Sequence, residues 1–237
     1  MRDRCMLSLT KPQVHQAGSY CSNHSTSLPQ SIEEQLRRTD ALSSAESIMA
    51  PSPAQCAWLM GFARALNPAR VLELGTFTGV STLSFYEGTR RRRAEITTVD
   101  LSEMYLRIAE EAFRRYDAMD RIRVVRGDCL EVLPTLPGPF DLIYIDAAEE
   151  EYKAYVRVIL ENRLLAPEGV MLVDDVLLEG LVVDGQSIVK QFPPEIQQPY
   201  LRVAEQMEEF NSWIVRDQRV EVTMVPVFNG ISMIMWK

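Results

Sequence analysis

Hydrophobic and polar positions change period along the 237-residue chain, and the changes mark out its elements. Residues 1–30 are rich in Ser, Gln, His and Pro, lack periodicity, and read as a flexible N-terminal arm ahead of one domain at 31–237. From Ser31 the pattern turns helical: Ile32, Leu36 and Leu42 recur between charges, and Ser31 followed by Glu34 has the form of a capping box. Pro51 and Pro53 break that pattern and open a second helix carrying Trp58, Leu59 and Phe62. A strict alternation follows. Val71–Leu74, Glu95–Val99, Ile122–Val125, Phe140–Ile145 and Gly169–Val173 read as buried strands. Thr78–Tyr86, 102–117, Cys129–Leu136 and Tyr152–Asn162 read as the helices between and after them, with Leu106, Ala109 and Phe113 on one stripe. This rhythm predicts an α/β fold, a Rossmann-like, doubly wound and mostly parallel sheet with right-handed crossovers. Val220–Val227 and Ile231–Trp236 flank Phe228-Asn229-Gly230, which predicts an antiparallel C-terminal hairpin and brings the strands to seven. The stretch Glu179–Gln218 is too long for a simple connection and is expected to cover a pocket.

Composition narrows the class of protein. Apolar residues at 46% and charged residues at 24% are the ordinary balance of a soluble globular domain. A net charge of -8 argues against general binding to nucleic acid or to an anionic membrane. The basic run Arg90–Arg93 falls where a helix gives way to the next strand and reads as a solvated loop. Neither an apolar run long enough to span a membrane nor a secretory signal is visible. The four cysteines form no CxxC pair, so reduced thiols and a cytoplasmic setting are expected. His15 and His24 lie near Cys5 and Cys21, but without the tight pairing of a structural zinc site.

In open parallel sheets ligands bind beyond the carboxyl ends of the strands. The first strand runs into Glu73-Leu74-Gly75-Thr76-Phe77-Thr78-Gly79, where two glycines let backbone approach a ligand closely and Ser81 stands at the helix start. The spacing is not GxGxxG, so a pyrophosphate is not the expected ligand. Asp100, ending the second strand, has the place of an acid that accepts both hydroxyls of a ribose. Gly127-Asp128-Cys129 ends the third, placed to touch an adenine edge. Asp100 and Asp128 each also fit a helix cap, and it is their ordered recurrence at successive strand ends that favours a ligand site. Asp146 ends the fourth strand and Asp174-Asp175 the fifth. Three neighbouring carboxylates repel unless a cation sits between them, and oxygen ligands of this kind suit Mg²⁺, Ca²⁺ or Mn²⁺. Asp174 and Asp175 alternatively cap the loop that follows them.

At this point the chain resembles a known family, the cation-dependent class I O-methyltransferases of the caffeoyl-CoA and catechol type. Met49–Gln55 (MAPSPAQ), Val71–Ser81 (VLELGTFTGVS), Phe140–Ala147 (FDLIYIDA), Leu164–Asp174 (LLAPEGVMLVD) and Asn229-Gly230 carry the resemblance, which covers roughly Ala41–Lys237. It implies the class I methyltransferase fold, a homodimer, and S-adenosylmethionine held around Met49, Glu73, Gly75, Thr76, Ser81, Asp100, Asp128, Cys129 and Asp146. It further implies a divalent cation, Mg²⁺ first, on Asp146, Asp174 and Asp175, and an acceptor bordered by Tyr152, Tyr155 and Leu178. The implied reaction is methylation of a hydroxyl on a small aromatic or secondary-metabolite-like substrate, with Asp146 and Glu149 as catalytic candidates.

The departures fall on the acceptor and metal side. Where the family reads Asp-Ala-Asp-Lys, this chain has Asp146-Ala147-Ala148-Glu149, so the second acid is Ala148 and the lysine proposed as general base is Glu149. Asp175 replaces an asparagine ligand, and Leu178 an aromatic. Glu149 has three readings: a substitute base, a partner for a cationic substrate amine, or one of a solvated run with Glu150 and Glu151. These changes leave a second function open, a methyltransferase-fold protein that performs a cyclisation or related reaction.

Overall fold

The computed structural model describes residues 11–237. Its strands are β1 (Arg70–Leu74), β2 (Glu95–Asp100), β3 (Ile122–Arg126), β4 (Phe140–Ile145), β5 (Leu165–Val173), β6 (Val220–Val225) and β7 (Ile231–Trp236). They form one seven-stranded sheet in the order β3-β2-β1-β4-β5-β7-β6. β1 to β5 run parallel to one another, and β7 runs antiparallel to both β5 and β6. The chain winds outward from β1 to β3 and then returns to β4, so the strand order reverses between β1 and β4. In this topology that is where a ligand crevice opens. The register aligns the strand ends: Leu74 pairs with both Val99 and Ile145, and Ile145 with Val173. Gly75, Asp100, Asp146 and Asp174 therefore emerge side by side.

β1 and β4 are buried along almost their whole length, because helices cover both faces of the sheet. On one face α2 (Gln30–Asp40), α4 (Pro53–Leu66), α5 (Val80–Gly88) and α6 (Glu103–Arg115) bring Ile32, Leu59, Leu83 and Phe113 into one apolar layer. On the other, α7 (Cys129–Val132), α8 (Tyr152–Glu161) and α10 (Pro194–Ile214) contribute Cys129, Ile159 and Phe210. Two further helices, α3 (Ser44–Ser47) and α9 (Leu181–Ile188), border the crevice, and α1 (Lys11–Asn23) precedes them all.

The differences from the sequence reading are local. α1 is a helix within the stretch read as an arm; its polar composition hid it. Ser31 does not cap: α2 starts after Pro29, and the Ser31 hydroxyl donates to the buried Glu87 at 2.6 Å. A complete capping box instead closes between Ser43 and Glu46 at the start of α3. Residues 129–136 divide into α7 and a 3₁₀ turn. β5 starts at Leu165, with a register irregularity against β4 between Phe140 and Leu142. Residues 179–218 hold the 21-residue α10, whose interior Pro199 interrupts the helical signal.

The arginine run lies in an exposed turn after α5, where Arg93 pairs with Asp120 at 2.6 Å and Arg90 with Glu87 at 3.3 Å. Cys21 is exposed, and the His24 ring bonds the Tyr20 carbonyl at 2.8 Å. Cys5 and the His15 side chain lie outside the described residues. No described helix is long and apolar enough to cross a membrane.

Candidate active site

Two cavities open beyond the carboxyl ends of the strands, one of about 620 Å³ against the glycine loop and one of about 580 Å³ between residues 48–55, the start of α9 and α10. Met49, Pro51, Asp146, Glu149 and Asp175 line both, so the two cavities share a wall.

The first cavity is built from backbone. Gly75 (φ 92°) and Gly79 (φ 84°) take left-handed conformations open to glycine, and Phe77 is held at φ 46° between them. The Asp100 carboxylate fixes this loop: Oδ2 accepts the N–H groups of Thr76 at 3.0 Å and Phe77 at 2.8 Å, and Oδ1 that of Ser102 at 2.8 Å. The cap of α6 is Ser102, not Asp100. Asp128 does cap α7, accepting from the Leu130 N–H at 2.7 Å, and still reaches the cavity wall. Thr76, Ser81 and Cys129 complete the expected set in that wall, and burial pushes the Cys129 thiol up to about 12, which keeps it inert. The α3 segment covers one side: Glu46 accepts from the Tyr105 hydroxyl at 2.9 Å, and the Tyr105 ring meets Phe77 edge-on at 4.5 Å.

Glu73 lies beneath the loop rather than in the wall. It is fully buried; Oε2 accepts from the hydroxyls of Thr98, at 2.6 Å, and Thr82, while Oε1 has no partner among the described residues. Burial, with a smaller contribution from the Asp100 charge, raises its carboxyl to about 7. A raised carboxyl binds its proton more tightly in the folded state, so its stabilisation is full below pH ~4.5 and is lost as pH rises to about 7. The total is on the order of 3 kcal/mol. Thermal melts without cofactor should show wild type losing stability across pH 4.5–7 relative to Glu73→Gln. Parallel melting profiles would contradict a protonated Glu73.

The shared wall carries the acids of β4 and β5. Tyr144 donates its hydroxyl between Asp174 Oδ2 and, at 3.2 Å, Asp146 Oδ2. Gln55 donates to the same Asp174 oxygen at 2.5 Å, and Asp174 Oδ1 accepts the Asp175 N–H at 2.9 Å. Asp175 sits at φ 56°, followed by Leu178 at 45° and Glu179 at 53°, a run of left-handed non-glycine residues held only by its surroundings. Burial raises all three aspartates, and neighbouring acids reinforce it at Asp146 and Asp175. Asp174 and Asp175 reach about 6, and Asp146 lies well above its usual range. Burial, then the Asp175 charge, also raises Glu149. In chemistry the donors fit a hard divalent cation: oxygen atoms only, with no Lys, Arg or His in either cavity wall. In geometry, no group of three or more His, Cys, Asp or Glu side chains among the described residues is gathered as a bound ion requires. The Asp174 oxygens are turned to Tyr144 and Gln55 instead.

The second cavity sets these acids opposite Leu178, Leu181, Val203 and Phe228. Leu178 lines this second cavity. Tyr155 lines the first cavity and donates to Glu151 at 2.5 Å, and Tyr152 is fully buried behind both walls. Sequence reasoning passed over Tyr144, Gln55 and Asn229 as site residues. Gln55 sits in the quoted Met49–Gln55 segment and Asn229 in the hairpin, but only the fold shows them reaching the Asp174–Asp175 acids.

Comparison with known proteins agrees with this architecture. The family model described as O-methyltransferase matches residues 22–237. The O-methyltransferase hkm8 of Aspergillus hancockii is 63% identical, with 100% of each chain covered. The O-methyltransferase ankF of Aspergillus thermomutatus is 38% identical over 91% of this chain and 90% of its own. Among solved structures, the S-adenosylhomocysteine-bound methyltransferase PaMTH1 of Podospora anserina superposes with a TM-score of 0.91 at 30% identity, covering 98% of each chain. An O-methyltransferase from Bacillus cereus, also in complex with S-adenosylhomocysteine, gives 0.76 at 26% identity over 94% of this chain and 97% of its own. With the glycine loop, the Asp100 brace and the reversed strand order all in place, the chain belongs to the O-methyltransferase family and is an S-adenosylmethionine-dependent O-methyltransferase.

Proposed function

We propose that the enzyme methylates a hydroxyl of a small aromatic acceptor and that a divalent cation, Mg²⁺ first, assists at Asp146, Asp174 and Asp175. The observation that carries this reading is the shared wall: three burial-raised carboxyls stand where a cofactor cavity meets a cavity with an apolar far side. Leu178, Leu181 and Phe228 hold the flat body of the acceptor by apolar contact, and Asp146 receives its hydroxyl. The Gly75–Gly79 loop and Asp100 hold the cofactor opposite, so reaction is promoted mainly by orientation and fixed charge. When bound, S-adenosylmethionine supplies the methyl and the cation lowers the pKa of the hydroxyl. Met49 and Pro51 stand on the side common to both cavities.

Calorimetric titration with S-adenosylmethionine, followed by a catechol panel analysed by mass spectrometry with Mg²⁺ or with chelator, tests the reading. Methylated product that falls at least tenfold on chelation is expected. Turnover indifferent to chelator removes the cation from the proposal. Cofactor binding without any methylated phenol removes the substrate class.

A further inference from the structure

We propose that Asn211 and Asn229 are positioning residues of the acceptor side: from two different elements they hold the backbone of residues 175–180, and so fix where Asp175 and Leu178 stand in the second cavity. This rests on the reading above that the second cavity takes the acceptor.

The loop does not hold this path by itself. Asp175, Leu178 and Glu179 lie in the left-handed region, at φ 56°, 45° and 53°, where a side chain crowds its own backbone. Such a run persists only where its neighbours over-determine it. Its internal backbone bonds run from the Leu178 N–H to the Asp175 carbonyl at 3.0 Å and from the Gly180 N–H to the Leu177 carbonyl at 2.8 Å. The remaining hold comes from outside. At the hairpin tip the Gly230 carbonyl accepts the Val176 N–H at 3.1 Å, the Asn229 carbonyl the Leu177 N–H at 2.9 Å, and Asn229 Oδ1 the Glu179 N–H at 2.5 Å. From α10, Asn211 Nδ2 donates to the Val176 carbonyl at 2.9 Å. Val176 is fully buried, so both its backbone groups need partners, and the hairpin and α10 provide one each.

The two side chains suit their places. Asn229 sits at φ 72°, which asparagine tolerates better than most residues with a Cβ. Asn211 keeps a buried Oδ1 without a partner among the described residues, a departure from full pairing of the kind that a site, not the fold, retains. The glycine loop of the first cavity has its own brace in Asp100 and shares none of these bonds. Leu178 lines the second cavity alone. The two asparagines therefore act on the acceptor side of the shared wall.

Three variants separate the parts. Asn229→Gly keeps the backbone turn and the carbonyl and removes the side chain, Asn229→Asp keeps an acceptor for the Glu179 N–H, and Asn211→Asp removes the donor to Val176. On the full chain, hydrogen exchange is followed in the peptide spanning 174–181, and S-adenosylhomocysteine affinity by calorimetry. kcat and KM are measured with catechol, S-adenosylmethionine and Mg²⁺. Asn229→Gly and Asn211→Asp should each speed exchange in that peptide by roughly three- to tenfold, the loss of one hydrogen bond. The catechol KM should rise by a similar factor, while the S-adenosylhomocysteine Kd stays within about twofold of wild type. Asn229→Asp should return exchange and KM toward wild type. Asn229 is exposed, so its variants carry the test should Asn211→Asp not fold. Unchanged exchange in the loop peptide overturns the proposal. Faster exchange throughout the chain together with weaker cofactor binding marks a general loss of stability and overturns it too. A loosened loop with unaltered catechol kinetics overturns the positioning role. If wild type methylates no catechol, the aromatic-acceptor reading falls, and the exchange and cofactor results alone decide whether the clamp stands.

Discussion

Gly75→Ala is expected to reduce methyl transfer by at least ~100-fold and to weaken S-adenosylmethionine binding to a similar degree. A Cβ at this position would run into the Asp146 carbonyl oxygen, with the carbonyl carbon at 2.7 Å. The obstruction is backbone, so no rotamer change relieves it. The φ of 92° adds a strain of roughly 1–3 kcal/mol for any residue with a side chain. Either β1 and β4 spread at their ends or the loop leaves its place, and both outcomes displace Asp146 from the shared wall. Gly79→Ala provides the comparison. There the added carbon meets the Phe113 ring at 2.7 Å, a side chain with some freedom to move, although φ is similarly positive. Calorimetric Kd values and melting temperatures for the two variants should therefore rank Gly75 as much the more damaging. A Gly75→Ala enzyme with wild-type cofactor affinity would show that the loop does not need this close approach.

The second large effect has opposite signs in two measurements. Asp146→Asn should lower kcat by roughly 10²–10³, while raising the melting temperature of the cofactor-free, metal-free protein. Asparagine keeps the shape and removes the charge. Burial and the charges of Asp174 and Asp175 hold the native carboxyl well above its usual range, so the wild-type fold stabilises less as this acid ionises. Asp146→Asn removes that repulsion, and the new amide retains the Tyr144 hydroxyl, at 3.2 Å from Oδ2, as a partner. Activity built on like charges held together is activity obtained at the expense of stability. Added Mg²⁺ should raise the melting temperature of wild type and do so less in the variant. A variant that loses activity and also melts lower would mean that Asp146 acts mainly by holding the fold.

Much of the fold was legible because it depends on period and order. The limits of β4 and β7 match the apolar runs Phe140–Ile145 and Ile231–Trp236, and β1 and β2 differ from theirs by one residue. Gly75, Asp100, Asp128 and Asp146 line the first cavity because each stands at a strand end, where the topology decides what a residue faces. Residues whose place depends on rotamer and packing were not legible. Tyr144 lies inside β4, where sequence marks it as core, and its hydroxyl still reaches out to two aspartates. Tyr155 differs from an acceptor-lining residue only in which side of the shared wall its ring falls. The capping box at Ser43–Glu46 was missed because the earlier pair, Ser31 and Glu34, has the same letters without the break in backbone that a cap requires.

The shared wall divides the chain's freedom to vary. The ends of β1 to β4 line the first cavity, whereas residues 178–203 and the hairpin tip at Phe228 and Asn229 line only the second. Drift or deliberate diversification in α9 and α10 reshapes one cavity and leaves the other intact. Met49, Pro51, Asp146, Glu149 and Asp175 belong to both, so a change there alters both ligands at once. Substitutions in α9 and α10 are thus expected to alter the second cavity alone, and substitutions at the five shared positions to alter both.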